Sequence, residues 1–277
     1  MNRLVFKTVK PFSISNFSWT NYTTPQSTQP KKDLQFVRPF LSLNFVATLS
    51  IIMRKKWWKI LAVVLLIYTF TAGFLVKVPE LGILKETSRN LFFHVPMWFG
   101  QIILLTISLI YSILYLRKSD LRYDIYAVAF AKTGIVMGIL GLVTGAIWAA
   151  YVWGAPWSND PKQIGVAIAL LIYFAYLVLR NAIPDIDKCA KVSAVYNIFA
   201  YFMYIPLIMI LPRMVESLHP GGKGVEGNPG LNGADLDASM RMIFWPAVIG
   251  WTLLGVWIST LNIRLYLIRD KNLINAK

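Results

Sequence analysis

Two histidines, His94 and His219, are the only imidazoles in this chain of 277 residues. Each has a proline close behind it, in Phe93-His94-Val95-Pro96 and in Leu218-His219-Pro220-Gly221-Gly222. A neutral imidazole is a common metal ligand and a standard axial ligand of haem iron. A third feature is a stretch dense in indoles that runs from Trp148 through Trp153-Gly154-Ala155-Pro156-Trp157-Ser158-Asn159-Asp160. Trp148, Trp153 and Trp157, broken by Gly154 and Pro156, offer flat faces to a planar apolar ligand, with Asp160 as a polar anchor. Position alone leaves blander readings open. A single His near a membrane surface is usually a satisfied polar residue, and tryptophans form belts at either interface. The one cysteine, Cys189, allows neither an intramolecular disulfide nor a cysteine metal cluster.

The elements that must position these residues follow from composition. The chain is 56% hydrophobic and 15% charged, with mean hydropathy +0.54, whereas a soluble domain carries about a quarter charged residues. Six apolar runs follow one another: Trp58–Val76, Met97–Leu116, Tyr126–Ala150, Ile164–Leu179, Val195–Leu211 and Phe244–Ile263. Each approaches the length that crosses a hydrocarbon core about 30 Å thick. Backbone groups in lipid need internal partners, so the runs are helices. The sequence predicts an all-α integral membrane protein with six transmembrane helices.

Basic residues set the orientation, because they stay on the cytoplasmic side. With Met53 inside, the inner ends and loops carry fourteen Lys and Arg and the outer ones carry seven. Both termini are therefore expected in the cytoplasm. The outer side then receives Lys77–Val95, Tyr151–Gln163 and Pro212–Ile243, which hold both histidines and the indole-rich loop. The net charge of +15 reads as topology and contact with lipid headgroups, not as a nucleic-acid surface. Residues 1–52, rich in Ser, Thr, Asn and Pro, are expected to be an N-terminal extension without a fold of its own, or a mis-called start. Met53-Arg54-Lys55-Lys56 opens the six-helix membrane domain, residues 53–277.

Several motifs, in order along these spans, carry a resemblance. They are Arg89 to Pro96 (R-x-x-x-x-H-V-P), Thr144-Gly145-Ala146-Ile147-Trp148, the Trp-Gly-x-x-Trp of Trp153 to Trp157 with Asp160-Pro161-Lys162, Pro206 in the fifth span, and Ser217-Leu218-His219-Pro220-Gly221. Together they resemble the CcmC family, haem exporter protein C of cytochrome c maturation, within a wider haem-handling superfamily that includes CcsA-type synthases. The resemblance implies that His94 and His219 are the axial ligands of haem iron, with haem b as cofactor. It implies that Trp148, Trp153, Trp157 and Asp160 lie against the haem. It further implies a bacterial inner-membrane protein that works on the periplasmic face, presents haem to a CcmE-like chaperone, and acts with ABC-type subunits like CcmA and CcmB. The chain departs from the family loop at Pro156, where a second Trp is usual, and at Asn159, where a Trp usually precedes the Asp. The Gly-rich stretch from Gly221 to Gly233 reads as a solvated linker.

Paired catalytic carboxylates, a nucleophile elbow and a phosphate loop are all missing from the sequence. The expectation is haem binding and transfer without enzymatic bond-making, with any ATPase on a separate chain. Two other readings stay open: a CcsA-like component of a cytochrome c synthase, and a permease or assembly subunit without bound haem.

Overall fold

The structure is a computed structural model that describes residues 55–78, 85–219, 223 and 236–275. The N-terminal segment 1–52, the basic residues Arg54 and Lys277, and the Gly-rich stretch apart from Lys223 lie outside the described residues. The main helices are α1 (Trp57–Leu75), α2 (Leu91–Lys118), α3 (Leu121–Val152), α4 (Pro161–Ala182) and α5 (Ile186–Ile205). A π-helical turn, Pro206–Ile210, joins α5 to the short α6 (Leu211–Met214), and α7 runs from Ala238 to Asn275. Six helical segments are long and apolar enough to cross a membrane, the fifth running unbroken from Ile186 to Met214.

All but the first of the helices are longer than the apolar runs from which they were anticipated. The 32 residues of α3 span roughly 48 Å at 1.5 Å per residue, so its ends reach past a hydrocarbon core. A 3₁₀ turn, Lys85–Asn90, leads into α2. Consequently His94 lies within the helix, and Pro96 sits in its second turn. Pro206 does not end the fifth span. The missing N–H is absorbed by widening the helix to a π turn. Gly165 on α4 makes room for this turn, since a Cβ there would strike the Leu207 carbonyl.

α2 packs against α3, α5 and α7; α1 lies on α7, and α4 rests on α5 and α3. Hydrogen bonds between helices fix this packing where the hydrophobic effect is weak. Asn197 Nδ2 on α5 donates to Ser108 and Ser112 of α2, both at 2.8 Å, and Ser108 donates to the Ala127 carbonyl of α3. Toward the end of the bundle away from the histidines, Arg180 of α4 forms a bidentate ion pair with Asp124 of α3 at 2.6 and 2.7 Å. At the histidine end, Arg89 donates to the carbonyls of Gly73 and Val76 at 2.8 and 2.6 Å, closing the last turn of α1. The same guanidinium pairs with Glu86, so the run before His94 is anchored to α1. Lys132 of α3 donates to the Tyr266 hydroxyl of α7.

Candidate functional site

Gly134, Gly138, Gly141 and Gly145 recur on α3 every three or four residues and so form one helix face. Leu105, Gln101, Trp98 and His94 of antiparallel α2 rest on them in that order. A Cβ at Gly145 would lie 2.6 Å from His94 Cε1, and one at Gly141 would lie 2.9 Å from the Trp98 ring. Small residues thus let the imidazole and the indole press on the backbone of α3.

Both nitrogens of His94 are engaged. Nδ1 lies 3.1 Å from Thr144 Oγ1, and Nε2 accepts from the Trp98 indole at 3.1 Å. An indole N–H only donates, so Nε2 carries the lone pair and Nδ1 the proton. Thr144 passes the contact on to the Leu140 carbonyl at 2.8 Å.

His219 is placed by a carboxylate. The left-handed backbone of Asn159 (φ 55°) turns the chain into α4, and Asp160 caps that helix by accepting from Lys162 N–H at 2.9 Å. The same carboxylate accepts from Ser217 Oγ at 2.8 Å, from Leu218 N–H at 2.7 Å and from His219 Nδ1 at 2.8 Å. Burial alone would raise the pKa of Asp160, but the hydrogen bonds from His219 and Ser217 outweigh it and hold the carboxyl well below its ordinary range. Burial lowers the pKa of His219, and Asp160 only partly opposes this. His219 is therefore a neutral imidazole with its Nδ1–H on a carboxylate. Its Nε2 accepts no hydrogen bond among the described residues. This is how proteins commonly orient a histidine toward a metal.

Indoles link the two imidazoles. Trp148 lies one turn beyond Thr144, its ring meets Trp153 edge to face at 5.4 Å, and Trp153 meets His219 edge to face at 4.9 Å.

Two members of the expected set stand differently. Trp157 is 43% exposed and donates to Asn159 Oδ1 at 2.7 Å, with no ring contact among the described residues. Pro156 and Gly154 (φ 80°) turn it away from Trp153. Asp160, expected as an anchor for a ligand, is 4% exposed and its oxygens are filled by protein donors, so it positions His219 instead. Sequence reasoning gave no role to Trp98, Gly141, Gly145, Thr144 or Ser217. A signal was present, because His94 and Trp98 share the four-residue spacing of Gly141 and Gly145. An open cleft of about 530 Å³ flanks the polar side of the Asp160–Ser217 contact, with Glu216 and Lys223 in its wall. None of the two histidines, Trp148 and Trp153 lines it, so the chemistry belongs to the indole side.

Among the described residues no three His, Cys, Asp or Glu side chains gather as donors for a metal ion. Two neutral imidazoles walled by indoles suit a metal that brings its own equatorial ligands. Haem fits this donor set.

Comparison with known proteins places the chain among its relatives. The family model described as haem exporter protein C, CcmC, matches residues 39–275. The chain is 32% identical over 109 residues to "Heme exporter protein C" of Paracoccus denitrificans, covering 39% of this chain and 45% of that one. To the protein of the same name in Haemophilus influenzae it is 25% identical over 143 residues, 52% of this chain and 56% of the other. A shorter segment, 47 residues at 53% identity, matches "Cytochrome c biogenesis protein CcsA" of Prochlorococcus marinus strain MIT 9515, or 17% of this chain and 15% of that one. The matched stretches thus span about half the length of the haem exporter relatives. With the family model covering nearly all of the six-helix domain, this chain belongs to the haem exporter protein C (CcmC) family.

Proposed function

We propose that this chain is a haem-handling subunit of cytochrome c maturation that binds haem between His94 and His219 and hands it on. The observation that carries the reading is the Nε2 of His219, which has no partner among the described residues and is aimed by Asp160; Trp153 and Trp148 join it to the helix face that seats His94. Bound haem supplies an iron with two axial positions and a broad apolar face. His219 and His94 would take the axial positions as neutral donors. Trp148 and Trp153 would lie along the apolar face and keep water from it. Asp160 holds one imidazole in a single tautomer, and Thr144 does the same for the other. The chain makes and breaks no covalent bond in this scheme.

The excess of basic residues at the opposite end supports a site on the periplasmic face of the bacterial inner membrane, with both termini in the cytoplasm. Haem b is the species bound. Its recipient is a CcmE-like chaperone, and CcmA- and CcmB-like subunits supply the ATPase. The short match to a CcsA protein favours a second reading, a component of a cytochrome c synthase.

The test is an absorption spectrum of the purified protein with haem added, compared with His219→Ala. The expected result is a spectrum typical of two imidazole ligands that His219→Ala loses. Identical spectra would sink the assignment. Co-expression with an apocytochrome but no chaperone separates the two readings, because thioether formation there supports only the synthase.

A further inference from the structure

The two imidazoles differ in their partners. His219 keeps Nε2 without a partner among the described residues, whereas the Nε2 of His94 is taken by the Trp98 indole. That lone pair is the one iron would use. Nδ1 offers no substitute, since it faces Thr144. Trp98 is a side chain of α2 that packs on Gly141 and is only partly buried.

We propose that Trp98 guards His94, competing with iron for Nε2, so that the imidazoles engage in a fixed order: His219 first, and His94 only once the indole has turned away. This rests on the haem-binding reading above. It also gives release a route. When the indole returns to Nε2, His94 leaves the iron, and haem is held by a single protein ligand that a recipient can displace. Met97 and Phe99 on either side of Trp98 have no hydrogen-bond donor that could act in this way.

Haem titration of detergent-purified full-length variants, read as visible absorbance and quenching of tryptophan fluorescence, tests the order. Trp98→Phe keeps a ring on Gly141 but removes the N–H. It should bind haem about two- to tenfold more tightly, the range expected for one hydrogen bond. His94→Ala should retain haem with a single-ligand spectrum, and His219→Ala should bind far less. The double variant His219→Ala/Trp98→Phe should regain binding through His94. Gly141→Ala, which crowds the indole from its seat, should act in the same direction as Trp98→Phe and serves if the latter fails to fold. Unchanged or weaker binding by Trp98→Phe and Gly141→Ala, or no recovery in the double variant, would overturn the guard and leave haem binding itself intact. A wild-type protein that takes up no haem would remove both.

Discussion

Asp160 carries the largest share of the site's geometry of any single residue. Its carboxylate accepts from Lys162 N–H, Ser217, Leu218 N–H and His219 at once. Asp160→Asn puts an amide N–H₂ where a donor already points, so at least one of those donors loses its acceptor and faces another donor. Outer-shell partners of a metal-bound histidine commonly contribute about 10- to 100-fold in affinity. Asp160→Asn should therefore lower haem affinity by at least about tenfold, measured by titration, while Ser217→Ala costs less because one bond of four is lost. Equal affinity in Asp160→Asn and wild type would show that the carboxylate does not aim the imidazole. Both histidines and Asp160 stand out in the sequence as candidates, because their types are rare in so apolar a chain, and the structure joins His219 to Asp160 directly. Their division of labour was not. A carboxylate beside tryptophans reads equally as a ligand anchor or as a helix cap, and only the positions of the 217–219 donors decide between the two.

At the scale of elements, six spans in order are readable from apolar length alone, but their contacting faces are not. Helices that are hydrophobic all round give no stripe to follow. What marks the α2–α3 contact is the recurrence of Gly134, Gly138, Gly141 and Gly145, a pattern of small residues and not of apolar ones. Two polar clamps at opposite ends of the bundle yield separate predictions. Arg89→Ala removes two bonds to the carbonyls that end α1, a loss of about 1–3 kcal/mol. Hydrogen exchange in Gly73–Val76 should quicken, and unchanged exchange would exclude the clamp. Arg180→Ala leaves Asp124 buried without its cation; the side chains are 15% and 11% exposed in the pair. Removing one partner of such a pair costs about 3–5 kcal/mol, whereas apolar replacement of both is close to neutral. Thermal unfolding in detergent should fall sharply for Arg180→Ala and recover in Arg180→Met/Asp124→Leu. No recovery in the double variant would mean that the pair adds more than charge compensation.

For the whole molecule, the decisive question is which ends of the helices share a compartment. The N-terminal part of α2, the C-terminal end of α3, the start of α4 and the segment after α6 come together through His94, Trp148, Asp160 and His219. The other end gathers Asp124, Arg180 and the Ser119-Asp120 turn. Reporter fusions at residues 155 and 217 should report one compartment, and fusions at 119 and 184 the other. A split between 155 and 217 would dismantle the site. The exposed residues of α1, among them Ile60, Val64, Ile67 and Phe74, present an apolar surface suited to lipid.

The shared carboxylate also decides how the outer segment behaves mechanically. Ser217, Leu218 and His219 hang from one nearly buried acceptor, so pulling any of them free weakens the anchor that the others share. Such a latch opens in a single cooperative step, with no half-loosened stage. Anything that grasps this segment from outside meets a threshold of force before it yields, and the first turn of α4 is unfastened by the same tug.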